Sequence, residues 1–186
     1  MSLKTLLTRN RSIILQAWQR LILHTYPDDR SAFFGKEKDA FANPVGSTIL
    51  NETEGFFDGL LAEKEAVELG TLMEGTIRIR AVQDFSPSEA VGYLLLLKQA
   101  IRDALDQHLK ETAVLRDLLE FESRIDRACL VAFDLYSQCR RQISDIRIGE
   151  VKAEKERMAK VLRAMNRVTD DGRWTMDDGG KRNGEP

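Results

Sequence analysis

The sequence is poor in the residues that build metal sites and disulfide frameworks. Among 186 residues there are two cysteines, Cys129 and Cys139, and two histidines, His24 and His108. A zinc site needs three or four closely spaced ligands, so we predict no metal. On one helix the two cysteines would lie about 15 Å apart, too far for a disulfide. We interpret them as apolar thiols along a helix seam.

An excess of one charge sign and long apolar runs are also missing. There are 28 basic and 30 acidic side chains, for a net charge of −2, which argues against nucleic-acid binding. No apolar run approaches the ~18 residues of a membrane span, and no signal peptide opens the chain. With so few cysteines, we expect a cytoplasmic location.

Signatures of catalysis are absent as well. The sequence contains no glycine-rich phosphate loop, no serine nucleophile elbow and no kinase motif. The prediction is therefore a protein that is not an enzyme and that has no catalytic residues and no cofactor.

Helix breakers are scarce, and this decides the fold class. The chain has four prolines, and the segment 93–148 contains neither proline nor glycine. Strand and hairpin signals are poor throughout. The prediction is an all-α helical bundle. As a single helix the breaker-free segment would span roughly 80 Å, so we expect a break near Lys110–Thr112.

The spacing of apolar residues predicts the course of the earlier helices. The first runs from about Leu3 to Thr25, and Pro27 ends it before a short segment at 32–34. Another helix starts after Asn43, and a further one covers about Glu65–Gln83. Ala90–Leu97 is apolar nearly all round, which is typical of a helix in the middle of a bundle, and an amphipathic pattern continues to about Leu109.

Two of these helices begin with proline-containing caps. Asn43 is predicted to be an N-cap, with Pro44 at the first helical position, where its missing N–H costs nothing. Ser86-Pro87-Ser88-Glu89 has the form of a capping box, in which Ser86 caps the helix and Glu89 reaches back to the cap's backbone N–H.

The last helix is predicted to start near Val114 and to run as far as Val168. A 3-4-3-4-3 rhythm marks its seam with the bundle, formed by Cys129, Ala132, Tyr136, Cys139, Ile143 and Ile146. At Gly149 the register slips. A narrow stripe on a charged segment follows, formed by Val151, Met158, Val161 and Met165. We therefore divide the chain into a helical domain (1–148), a charged helical extension (149–168) and a disordered tail (169–186).

The segment before the second cap collects polar side chains. Arg78, Arg80, Gln83 and Asp84 cluster at a predicted helix end, directly before the Ser86 cap. One interpretation is an anion- or ligand-binding corner, since a helix N-terminus offers free N–H groups and a positive dipole end. The other, which we favour, is that Arg80 or Gln83 ties the loop to nearby carbonyls while Asp84 pairs locally.

The same residues carry a family resemblance. The stretch 41–46 (FANPVG) and the later stretch 80–91 (RAVQDFSPSEAV), followed by Leu97-Lys98, resemble the RsbRD N-terminal domain family. That family is named for co-antagonists of RsbT, the kinase that works with bacterial stressosomes. The resemblance implies an all-helical input domain, similar to non-haem globin-like sensors. In multidomain members a STAS output domain follows, whereas here only a charged helix and a tail do.

Three functions are compatible with this sequence. The first is a non-catalytic regulatory module that senses a ligand or partner and presents its C-terminal helix to a protein or to a second copy of itself. The second is an accessory protein of a membrane redox complex, because similar stand-alone chains accompany the complex of sulfite reduction. The third, which we disfavour, is a haem-binding globin-type sensor using His24 or His108.

Overall fold

The computed structural model describes residues 2–26 and 43–171, and the regular structure within those ranges is entirely helical. The helices are α1 (Leu3–Arg9), α2 (Arg11–Leu23), α3 (Pro44–Leu61), α4 (Ala66–Thr71), α5 (Glu74–Val82), α6 (Pro87–Gly92), α7 (Leu96–Leu105) and α8 (Thr112–Asp171), with a 3₁₀ turn over Asp106–His108. The predicted all-α fold with a long C-terminal helix is confirmed. Pro27, the segment 32–34 and residues 41–42 lie outside the described residues.

The core is built around Trp18 of α2. Its side chain is fully buried, and its ring centroid lies 5.8 Å from that of Phe56 in α3. The indole N–H donates a 2.8 Å hydrogen bond to the backbone oxygen of Tyr93. A single side chain therefore joins α2 to α3 and to the turn between α6 and α7.

Two of the predicted helices are each broken into two, and the prediction of single helices is wrong there. Asn10 separates α1 from α2. Its backbone N–H keeps the regular i→i−4 bond to Leu6 O, but its side-chain amide also donates to that oxygen and competes for it. A second break at Leu72–Met73 separates α4 from α5. There the carboxylate of Glu52 in α3 accepts from the backbone N–H groups of Gly75 and Thr76, both at 2.8 Å.

The apolar run 90–97 is not one buried helix either. It is interrupted between Gly92 and Leu96 by a tight turn, and Leu95 is 42% exposed. The turn lets the Tyr93 backbone oxygen accept from the Trp18 indole, a contact that no local pattern encodes.

Helix α8 begins at Thr112, so the predicted break at Lys110–Thr112 is confirmed. Ala132 and Tyr136 of the predicted seam are buried, and Cys129, Cys139 and Ile143 are partly buried against the core. Both cysteines are free thiols. Ile146 is 62% exposed, so including it in the seam was wrong and the seam ends at Ile143.

The chain divides into two compact units, Met1–Ile143 and Ser144–Pro186, five residues before the predicted division after Ile148. Helix α8 runs through Gly149 without interruption and reaches Asp171. Residues 169–171 of the predicted disordered tail are therefore helical, and the rest of it, residues 172–186, lies outside the described part of the chain. Within the described residues no helix is both long and apolar enough to cross a membrane.

Candidate functional site

Arg80 lies in the core rather than at the surface. Helix α5 buries Thr76, Ile77, Arg80 and Ala81, a 1-3-1 spacing that forms one helix face. The side chain of Arg80 has no exposed surface. A buried guanidinium is expensive unless its donors and its charge are compensated, so its surroundings define the site.

Two hydrogen bonds and three aromatic rings surround the guanidinium. Nη1 donates to the backbone oxygen of Glu89 and Nη2 donates to Thr25 Oγ1, both at 2.8 Å. The guanidinium carbon lies 4.8, 4.9 and 4.4 Å from the ring centroids of Tyr26, Phe85 and Tyr93. Cation–π attraction at these distances offsets part of the cost of desolvation. We call Arg80, Thr25 and these three aromatic residues the Arg80 cluster.

A left-handed turn places Phe85 in the cluster. Asp84 has a φ of 59°, and the backbone N–H of Phe85 donates back to the backbone oxygen of Arg80 at 3.2 Å. This is the geometry of a Schellman cap, where glycine is the usual residue, although aspartate tolerates it better than most others do. The cap ends α5 and turns the Phe85 ring onto the Arg80 guanidinium.

Helix α8 holds the same turn from the other side. The Tyr136 hydroxyl donates to the backbone oxygen of Phe85 at 2.5 Å. Arg140 Nη1 donates to the backbone oxygen of Ala81 at 2.9 Å and to Asp84 Oδ1 at 2.5 Å. The loop 83–86 is thereby fixed to the last helix by side chains more than fifty positions away in the sequence.

The N-terminus of α6 is satisfied by its own residues. Ser86 Oγ accepts from the Glu89 backbone N–H at 3.4 Å, and the Glu89 carboxylate accepts from Ser86 N at 2.9 Å and from Ser86 Oγ at 2.6 Å. These hydrogen bonds lower the pKa of Glu89. Pro87 occupies the first helical turn. Because the Glu89 carboxylate already sits on the free donors, an added anion has less to bind there.

The other proline-containing helix start, at α3, is also capped by a side chain that accepts from a free backbone N–H. Asn43 Oδ1 accepts from the Gly46 backbone N–H at 2.8 Å, and Pro44 lies in the first turn. Asn43 is itself buried. Both caps lie where the proline-containing motifs place them.

The four residues of the predicted anion- or ligand-binding corner, which are Arg78, Arg80, Gln83 and Asp84, do not point into a common space. Arg78 forms an exposed ion pair with Glu74, Arg80 enters the core, and Asp84 pairs with Arg140. Gln83 buries its Oε1 without a hydrogen-bond partner among the described residues. These placements favour the structural interpretation of the corner, and ligand binding there stays a prediction.

Two further polar atoms of the cluster are buried without a hydrogen-bond partner in the described chain, Arg80 Nε and Tyr93 Oη. Burial raises the pKa of the Tyr93 hydroxyl, and the charge of Arg80 partly opposes that shift. The hydroxyl is therefore neutral at every physiological pH, and its ring serves as an aromatic wall for the guanidinium.

Metal and haem hypotheses gain no support from the placement of the histidines. His24 is the C-cap of α2, and His108 lies in the 3₁₀ turn. A groove of about 500 Å³ runs beside His108, but it is lined mostly by polar and charged side chains, including Arg9, Asp103 and Asp106, whereas haem needs apolar walls. The described residues contain no group of three metal-ligating side chains.

Sequence reasoning missed most of the cluster. The sequence patterns predict only a helix end at Thr25 and a place in an apolar helix for Tyr93, and they do not single out Tyr26 or Arg140. One local signal could have pointed to the site: an arginine spaced with Ile77 and Ala81 on the apolar face of a helix. Its partners lie too far away in the sequence to be read from local patterns.

Comparison with known proteins decides the family. The family model for the RsbT co-antagonist protein rsbRD N-terminal domain matches residues 13–150. The chain belongs to this family. The match includes α3, both caps, the whole Arg80 cluster and α8 up to Glu150, so the cluster is part of this rsbRD N-terminal domain.

One curated relative has comparable length. An uncharacterized protein of Archaeoglobus fulgidus is 23% identical over 154 residues, which cover 82% of this chain and 92% of that protein. No solved structure matches the chain with statistical significance.

Proposed function

We propose that this rsbRD N-terminal domain protein is a non-catalytic regulatory module. Its helical domain senses a ligand or a partner, and the C-terminal part of α8 binds a protein partner. The supporting observation is the stripe formed by Val151, Met158, Val161 and Met165, whose members are each 58–66% exposed. We also propose that it works in the cytoplasm.

The composition around the stripe favours a partner made of protein. From Ser144 to Met165 nearly every described side chain is exposed, and most neighbours of the stripe are charged. A narrow apolar stripe on a charged helix is typical of a surface that pairs with another helix. The occupant is another protein or a second copy of this chain.

The attachment of the loop 83–86 to α8 supports a regulatory role. Tyr136 and Arg140 bind the loop that closes the Arg80 cluster, and they belong to the helix that also carries the stripe. A change that loosens the cluster therefore acts directly on α8. A sensor needs a direct contact of this kind between the part that responds and the helix that carries its output.

The accessory-protein hypothesis uses the same surface. A subunit of a membrane redox complex would also dock through the stripe, so the two functions differ in the partner rather than in the mechanism. Co-purification from native extract, followed by identification of the bound chains, separates them.

The stripe is tested by one substitution and one matched control. Met158→Glu should abolish recovery of the partner, whereas Arg163→Gln, which makes the same charge change of −1 at 120° or more from all four stripe residues around the helix, should leave it unchanged. Truncation after Ile148 should give the same loss and leave a cooperatively folded helical unit. Equal partner recovery by all four proteins would contradict the proposal, and so would collapse of the truncated chain.

A further inference from the structure

A groove lies where α1, the end of α3 and the N-terminal part of α8 come together. Its volume is about 490 Å³, which is within the range of sites that bind small molecules. The groove shares no residue with the Arg80 cluster or with the groove beside His108. It belongs entirely to the first compact unit of the chain.

The floor of this groove is apolar. Leu3 and Leu7 of α1, Leu60 of α3 and Phe121 of α8 line it, and each is at most 8% exposed. Leu61 lines it as well and is partly buried against the core. An alkyl chain or a ring in the groove therefore contacts hydrocarbon from three helices, and its transfer out of water is favourable.

The two basic side chains of the groove already have partners. Lys4 forms an exposed ion pair with Glu63 at 3.6 Å. Arg124 Nη1 donates to the backbone oxygen of Leu60 at 2.9 Å, and Nη2 donates to that of Lys64 at 3.3 Å. An anionic ligand would have to compete with these carbonyls at the C-terminus of α3, where a basic side chain is already favourable.

Two carboxylates of α8 have no such partner. Asp117 and Glu120 line the groove and are exposed, and neither side chain forms an ion pair or a hydrogen bond with another described residue. Their spacing of three residues puts them on one side of the helix, about 60° apart. Phe121 follows Glu120 directly, so the same stretch of α8 presents both negative charge and hydrocarbon to the groove.

The unpaired charges and the apolar floor together select one class of ligand. An anion in the groove would meet two carboxylates whose charge no ion pair neutralises. A protonated amine supplies N–H donors and a positive charge, and hydrogen bonds between oppositely charged groups are stronger than neutral ones. An apolar part attached to that amine would cover the floor. The groove is thus complementary to a cation with a hydrocarbon body.

We infer that the groove between α1, α3 and α8 binds a small organic cation. Its ammonium group lies at Asp117 and Glu120, and its alkyl or aromatic part lies on Leu7, Leu60 and Phe121. Binding here does not depend on the proposed docking surface, because no residue of the groove lies beyond position 124. The use of this ligand as the signal that the helical domain senses rests on the proposed function.

Three probes of equal chain length test the class of ligand. Hexylammonium, hexanol and hexanoate have the same apolar chain and differ in charge, and NMR titration of the full-length protein measures their affinities. We expect hexylammonium to bind about tenfold more tightly than hexanol at low salt, and hexanoate to bind more weakly than hexanol. Added salt should remove most of this difference. Equal affinities for the three probes would overturn the inference, and so would the absence of saturable hexylammonium binding.

Two double variants with the same charge change test the location of the site. Asp117→Asn/Glu120→Gln should weaken hexylammonium binding about tenfold and leave hexanol binding within about twofold of the original, because the apolar floor is unchanged. Asp103→Asn/Asp106→Asn removes another exposed acidic pair with the same spacing, beside His108, and should leave both affinities unchanged. Equal loss of hexylammonium binding in the two variants would overturn the inference, and so would no loss in the first.

The stripe variant Met158→Glu separates this inference from the proposed function. It should lose the protein partner and keep its affinity for hexylammonium, because the groove and the stripe share no residue. If Met158→Glu loses hexylammonium binding, the amine binds at the stripe and the inference is overturned. If the variant keeps the partner and the amine, the proposed docking fails while the groove is supported.

Discussion

The guanidinium carbon of Arg80 lies 4.4 Å from the centre of the Tyr93 ring, and neither side chain reaches solvent to more than 1% of its surface. A buried charge of this kind is stable only because neighbouring groups replace the hydrogen bonds and the charge stabilisation that water would provide. Glu89 O and Thr25 Oγ1 take two donors, and the faces of three rings take part of the charge.

Replacing Arg80 tests how much the fold depends on this arrangement. Arg80→Lys cannot reach Glu89 O and Thr25 Oγ1 together, because lysine lacks the planar fork. We expect it to lower the free energy of unfolding by about 2 kcal/mol. Arg78→Lys is a matched control on the same helix, with an exposed i,i+4 partner, and should leave the free energy of unfolding nearly unchanged. Urea titration measures both, and equal effects would contradict the assigned role of Arg80.

The two tyrosines next to the cluster should respond differently to loss of the hydroxyl. Tyr93 Oη is buried without a partner among the described residues, so Tyr93→Phe should leave stability unchanged or raise it. Tyr136→Phe removes the bond to Phe85 O and should cost about 1 kcal/mol. If thermal denaturation shows that Tyr93→Phe is the more damaging change, the Tyr93 hydroxyl forms a stabilising hydrogen bond in the folded protein and the prediction is wrong.

The helix caps give a local prediction. Asn43→Ala and Ser86→Ala each remove a side-chain acceptor for a free backbone N–H, and each should cost about 1 kcal/mol. Ser88→Ala is a control inside the same helix turn as Ser86, and we expect it to stay within about 0.5 kcal/mol of the original protein. Unchanged denaturation midpoints for both cap variants would argue against these caps as sources of stability.

The depressed pKa of Glu89 gives a prediction with a defined sign. Because this pKa is lower in the folded state, the unfolded chain binds more protons in acid. The contribution of Glu89 is therefore complete above the ordinary glutamate pKa and is lost as the pH falls below about 4. Glu89→Gln should make stability less dependent on pH in that range, whereas the exposed control Glu150→Gln should not. Parallel acid profiles for Glu89→Gln and the original protein would rule out this linkage.

Two helical glycines should give opposite results when replaced by alanine. At Gly149 an added Cβ meets nothing within 4 Å, so Gly149→Ala should raise the helix content of the C-terminal segment and stabilise it by about 1 kcal/mol. At Gly70 an added Cβ would lie 2.5 Å from Val131 Cγ1, and the branched side chain cannot yield without moving α4 from α8. Gly70→Ala should therefore destabilise the protein. Circular dichroism during heating distinguishes the two variants.

Helix starts and the fold class were predictable because their causes are local. Proline at the first helical position and an acceptor before it are sequence neighbours, so Asn43-Pro44 and Ser86-Pro87 mark where α3 and α6 begin. The scarcity of breakers and the spacing of apolar residues likewise predict helices throughout and a long final one. The break before Thr112 was predicted correctly but for a reason that does not hold, because α8 itself has 60 residues and spans about 90 Å, longer than the helix that the length argument was meant to exclude.

The helix interruptions and the site were decided by residues that are distant in sequence. Glu52, which lies on α3, accepts hydrogen bonds from backbone N–H groups at the start of α5. The Trp18 indole donates a hydrogen bond to the Tyr93 backbone oxygen at the turn before α7. Propensity over a single segment contains no information about such partners, so continuous helices were predicted in both places.

By itself, the sequence determined that this protein is all-helical, where its capped helices begin and to which family it belongs, because those properties depend on neighbouring residues and their order. Only the tertiary structure decided that Arg80 is buried while Arg78, two positions away, is exposed. Both have the same charge and helix propensity, and they differ in the side of α5 from which they project. Which side the core covers is set by Thr25, Tyr26 and Tyr93, and only folding brings those residues together.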